Sequence, residues 1–174
     1  MPAGYARFVL DNTAIANFSA VGRMDILRGR YEGRLVVTRG VLLEAGKGPR
    51  PEAIRQAIEE GWVEARPIYT DSEEHGVFVA LRNRGFGIGE AASIAVCSTG
   101  ETWVFVSDDL DARREARQRG VEVVGTYGIL AREVAESRMS LEEGNALLRQ
   151  MIAAGFRSHS DDLRKESERL KARR

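Results

Sequence analysis

Five short apolar runs, each separated from the next by a stretch with helical character, constrain this chain more than any other feature. Arg7–Leu10, Leu35–Val37, Val63–Ile68, Thr102–Val106 and Val121–Val124 read as strands, and most of them are dense in Val, Leu or Phe. Helix signals fill the gaps. Asp11-Asn12-Thr13 and Ser107-Asp108-Asp109 supply capping oxygens, Pro51 opens a helix over 52–60 that Gly61 closes, and Thr70-Asp71-Ser72 caps a helix ended by Gly85. Gly85, Gly87 and Gly89 read as a flexible connection into a helix over Glu90–Val96. Leu110–Arg119 ends at Gly120, Thr126 caps a helix over Tyr127–Glu136, and Ser140-Leu141-Glu142-Glu143 is a capping box for a helix running to Gly155. Strands alternating with helices predict an α/β fold whose mostly parallel sheet is covered on both faces.

The 174 residues fit one compact domain, and 43% hydrophobic with 30% charged residues is the balance of a soluble globular chain. No apolar run approaches the ~20 residues that cross a bilayer, and MPAGYARFVL carries no signal-peptide pattern, so the expected location is the cytoplasm with no membrane partner. The lone Cys97 lies in an apolar helical setting and reads as a buried structural thiol. Twenty-six basic residues balance 26 acidic ones, so any nucleic-acid binding must come from local patches. The division expected is a main domain over 1–156 and a charged C-terminal helix or tail over 157–174, solvated or frayed.

Acidic side chains recur in one setting. Asp11 follows the first strand, Glu44 lies in the helix after the second, and Asp108 with Asp109 follows the Val104–Val106 run. Open parallel sheets bind ligands beyond the carboxyl ends of their strands, so these carboxylates are expected to converge, with Glu90 brought to the same rim by the preceding glycines. Brought together they would repel unless a cation neutralised them, and an oxygen-only donor set selects Mg²⁺ or Mn²⁺. Each residue also has a plainer reading as a helix cap or a surface charge. The repetition at strand ends favours a site.

FVLDNTAIANF, VTRGVLLEA, GIGEAASIA and VFVSDDLDARREARQRGVEVVGTYGIL resemble the acidic motifs of PIN-domain nucleases. The last stretch, with AREVAESRMSLEEGNALLRQMIAAGF, is especially similar to a bacterial and archaeal PIN subfamily of predicted nucleic-acid-binding proteins related to virulence-associated protein C toxins (VapC-like). The resemblance runs from Phe8 to Phe156. It implies a three-layer α/β/α sandwich and metal-dependent hydrolysis of RNA phosphodiesters. Asp11, Glu44, Glu90 and Asp108 would form the catalytic quartet, with Asp11, Glu90, Asp108 and Asp109 as metal ligands and the choice between Asp108 and Asp109 left open. Asn12 and Thr13 would be polar neighbours of Asp11. Arg39, Arg82, Arg84 and Arg113 are candidates for holding RNA phosphates, each with a plainer reading as a surface charge. A toxin of this kind would have a small antitoxin as partner, and PIN relatives commonly form homodimers.

The alternative is a PIN-fold binding or interaction module without catalysis, whose mark would be a missing carboxylate; all four positions are acidic here. A dinucleotide fingerprint at Gly85, Gly87 and Gly89 is disfavoured because it follows a helix instead of the first strand.

Overall fold

The computed structural model describes residues 6–46, 51–100 and 102–173, which form five strands and ten helices. The chain runs β1 (Arg7–Leu10), α1 (Asn12–Ala20), α2 (Met24–Tyr31), β2 (Leu35–Thr38), α3 (Arg39–Ala45), α4 (Pro51–Glu59) and β3 (Val63–Arg66). It continues through α5 (Glu73–Asn83), α6 (Ile88–Thr99), β4 (Trp103–Val106), α7 (Leu110–Gln118), β5 (Glu122–Val124), α8 (Thr126–Ala135), α9 (Leu141–Ala153) and α10 (Arg164–Lys171).

All strand pairings are parallel, in the order β3-β2-β1-β4-β5. Val9 pairs with Val36 on one side and Phe105 on the other, while Leu10 pairs with Val37 and Val106. Because side chains alternate along a strand, these two rows feed opposite faces. Val9, Val36 and Phe105 pack with Leu81 of α5, Ile94 of α6 and Ala112 of α7. Leu10, Val37 and Val106 pack with Phe18 of α1, Leu27 of α2, Ile129 of α8 and Leu148 of α9. The result is the three-layer α/β/α sandwich expected from the sequence, with an all-parallel sheet.

Strand order decides where a site can form. The chain winds from β1 outward through β2 to β3, then returns to place β4 on the other side of β1. The loops leaving β1 and β4 therefore diverge to opposite faces and leave a crevice at their carboxyl ends. The Asp11 amide donates to Val106 O at 2.9 Å, which fixes the residue after β1 beside the end of β4.

Four local readings need correction. α2 has no counterpart in the sequence reading, because Gly29 interrupts its helical character and its buried face includes Arg30. That arginine pairs with Glu133 and, at 2.7 Å, with Glu136, so a charge sits where an apolar residue is looked for. The glycine connection is shorter than expected: α6 begins at Ile88 and takes Gly89 into its first turn. Gly125, and not Thr126, is the N-cap of α8. The charged C-terminal segment is a docked helix, since Leu163 and Ser167 are buried and Leu170 packs on the main core.

Candidate active site

Asp11 stands at the crevice, 1% exposed, in the N-cap position of α1. Its side chain makes no capping bond. Instead Oδ2 accepts hydrogen bonds from the Thr13 and Ser107 hydroxyls, both at 2.9 Å. Burial pushes its pKa up, opposed by those two hydroxyls and by the backbone of Asn12 and Thr13. A carboxylate kept this far out of water is a costly placement for structure alone.

The loop after β4 is tied to this group twice. Thr13 Oγ1 accepts from the Asp108 amide at 3.0 Å, and Ser107 Oγ accepts from the Asp109 amide at 3.2 Å. The two aspartates then part. Asp108 accepts from Thr126 N and Asn17 Nδ2, both at 2.9 Å, and from the Thr126 hydroxyl, so both of its oxygens are taken by α1 and α8. Asp109 caps α7 with one oxygen, Oδ1, which accepts from Asp111 N at 2.9 Å and Ala112 N at 2.8 Å. Its Oδ2 takes no hydrogen bond from the described residues.

Glu90 lies in the first turn of α6 and accepts from Gly87 N at 3.0 Å. Its pKa is raised, first by burial and then by the charges of Asp109, Asp11 and Glu44. Glu44 reaches from α3 to the same turn, where a Cβ on Gly87 would stand 3.0 Å from its Oε1 and one on Gly89 would collide with its Oε2. The glycines thus clear room for a carboxylate beside a helix N-terminus, whose dipole favours it. Glu90, Asp109, Asp11 and Glu44 form one electrostatic set.

Like charges collected on hard oxygen donors fit a divalent cation. Among the described residues, however, no three acidic, His or Cys side chains stand close enough to enclose an ion as placed. The donor chemistry fits; coordination would require the carboxylates to close inward.

The other expected residues are scattered. Thr13 contacts Asp11, whereas the Asn12 side chain makes no hydrogen bond among the described residues. Arg113 donates to Ser107 O at 3.0 Å and lies 3.9 Å from Asp108. Arg84 shares a cleft of about 460 Å³ with Glu90 and Asp109, but is engaged by both oxygens of Glu115 at 2.6 and 2.8 Å. Arg82 is bound to Phe86 O, and Arg39 borders a separate apolar hollow with Leu42 and Ile54. Sequence reasoning missed the parts played by Asn17, Ser107 and Thr126. Thr126 follows the carboxyl end of β5, so the strand-end argument that selected Asp11 could have found it.

A comparison with curated proteins finds no match. A family model described as a PIN domain matches residues 7–171, almost the whole chain, and it falls on a parallel α/β/α sheet whose switch point carries the acidic set. The chain belongs to the PIN-domain family.

Proposed function

We propose that this protein is a Mg²⁺- or Mn²⁺-dependent endoribonuclease of the VapC-like kind. PIN domains are generally nucleases and generally use divalent ions, which supports the class. The observation that carries the reading is Asp11: buried at the switch point, released from capping, and held by two hydroxyls.

Asp11, Glu90 and Asp109 are the proposed metal ligands, with Glu44 completing the acidic quartet. Asp109 takes the inner place because Asp108 has both oxygens occupied by Asn17 and Thr126. Asp108 then acts as a latch that fixes the β4 loop against α1 and α8. A bound divalent ion supplies Lewis acidity and lowers the pKa of a coordinated water. Thr13 and Ser107 hold the Asp11 carboxylate in place, and Glu90, whose Oε2 is taken by the Gly87 amide, is the proposed acceptor, through Oε1, of a proton from the attacking water. No covalent enzyme intermediate is needed: water adds to phosphorus and the bridging P–O bond breaks.

The open arrangement of the carboxylates also suits a PIN-fold interaction module without catalysis. One experiment separates the two. Incubation of a mixed single-stranded RNA pool with Mn²⁺, Mg²⁺ or EDTA should give metal-dependent cleavage that Asp11→Asn abolishes. Intact RNA with folded, metal-loaded native protein, free of any bound antitoxin, would leave the interaction module standing. Whether the protein is a toxin with an antitoxin partner, and whether it forms a homodimer, belongs to the same proposal and is read from growth arrest on expression and from its mass in solution.

A further inference from the structure

The N-terminal end of α7 divides two clefts, and Asp109 and Asp111 border both. One is the Glu90 side already described. The other, about 910 Å³, runs from Asp108 and Asp109 along α7 and β5 to α8 and α10, and its charge changes along the way. Beyond the three aspartates at its mouth it is lined by six arginines, at 113, 117, 132, 157, 169 and 173, against only Glu122 and Glu166. Glu166 is already held by Arg169, with Nε at 2.8 Å.

Three of these arginines are left with open guanidinium forks, although Arg173 feels the charge of Glu166. Arg117, Arg157 and Arg173 are exposed and make no side-chain hydrogen bond or ion pair among the described residues. The local field is positive enough to act on a neighbour: burial and then the charge of Arg117 lower the pKa of Arg113. Guanidinium forks left open in a cleft suit phosphate oxygens. The same cleft holds the rings of Tyr127 and His159, 4.4 Å apart and tilted by 56°. Tyr127 is fixed by its hydroxyl, which donates to Asp162 O at 2.8 Å. Aromatic rings set among open cationic forks are what unstacked bases on a flexible backbone require.

We propose that this cleft binds single-stranded RNA running away from the carboxylates, with Arg117, Arg157 and Arg173 on phosphates and the Tyr127–His159 pair stacking a base. This rests on the ribonuclease reading of the acidic set, so binding and cleavage must be read separately. With EDTA present, so that nothing is cut, fluorescence anisotropy would follow a labelled oligouridylate of about twelve nucleotides over a salt series. Native protein should bind, R117A/R157A/R173A should bind at least tenfold more weakly, and the slope of log affinity against log salt should fall by about 2. R23A/R28A, on surface arginines outside the cleft, should match native, and H159A should weaken binding without changing the slope. A duplex of equal length should compete poorly. Equal affinity of the triple variant and native protein would overturn the proposal, as would equal competition by duplex or a preference for polyglutamate over RNA. If native protein cleaves RNA in Mn²⁺ while the triple variant binds normally in EDTA, the groove is refuted and the nuclease reading stands. If the arginines govern binding but no RNA is cut, the groove stands and the catalytic reading is refuted.

Discussion

The hydroxyl of Ser107, the first residue after β4, donates to Oδ2 of Asp11, the first residue after β1, at 2.9 Å. The bond crosses the switch point and is fully buried, since Ser107 has no exposed surface. Ser107→Ala removes a donor to a buried carboxylate and an acceptor for the Asp109 amide at once. A cost of about 1–3 kcal/mol follows. For a domain of this size that is a fall in thermal midpoint of roughly 3–10 °C. Scanning calorimetry on both proteins checks it, and an unchanged midpoint would show that the bond contributes little.

Gly89 makes the opposite prediction, a loss of function without a loss of fold. Alanine there would improve helix propensity by roughly 0.5–1 kcal/mol, and the backbone is not in a left-handed conformation. Its methyl would, however, occupy the place of Glu44 Oε2, a flexible chain end that can swing away, while Val41 Cγ2 at 3.1 Å yields slightly. Gly89→Ala should therefore melt no lower than native yet cleave RNA at least tenfold more slowly, on the order of 1.4 kcal/mol in barrier. Full activity in this variant would mean that Glu44 is not needed where it stands.

The sheet was legible in the sequence because Val9, Val36 and Phe105 lie in runs buried on both faces, which read as continuous apolar segments. Asp11 and the Asp108–Asp109 pair were legible because they follow strand ends, and Glu90 because it sits in a first helical turn, whereas Glu44, in the last turn of α3, was picked out only because its helix follows β2. What could not be read was which neighbour of a polar group it would meet. Thr126 looks like a cap from its position, yet its hydroxyl and amide both go to Asp108, 18 residues earlier. Arg30 looks like a surface charge, yet α8 brings two glutamates to it from about a hundred residues away. Such partners are set by the packing of distant elements, and a local pattern carries no record of them.

Burial of Asp11 predicts a pH effect of definite sign. Its pKa is raised in the folded chain, so the folded state keeps this proton to higher pH than the unfolded state does. The stabilisation is complete below the unfolded carboxylate range and is lost as pH rises through the raised folded value. In EDTA, the midpoint of Asp11→Asn should accordingly gain on native between pH 4 and pH 8. The difference between the two proteins is the measurement, because carboxylates such as Glu115 and Glu136 have lowered pKa values and bend both curves the other way. A difference that shrinks as pH rises would contradict the role of burial.

Asp108 and Asp109 are neighbours in sequence with different partners, and their amides should separate two effects. Asp108→Asn replaces a charged acceptor of Asn17 and Thr126 with a neutral one that also presents donors toward them, so the latch weakens. Asp109→Asn keeps an oxygen able to cap α7 and changes chiefly the atom facing Glu90. If Asp109 is the inner ligand, saturating Mn²⁺ should raise the midpoint of native protein and of Asp108→Asn, but not that of Asp109→Asn. Ligand at 100 times its dissociation constant stabilises by about 2.7 kcal/mol, a shift of roughly 5–11 °C for a chain of this size. In EDTA the order should reverse, with Asp108→Asn melting below Asp109→Asn. A Mn²⁺ response that survives in Asp109→Asn and vanishes in Asp108→Asn would return the inner place to Asp108, and would require its carboxylate to leave Thr126 when metal binds.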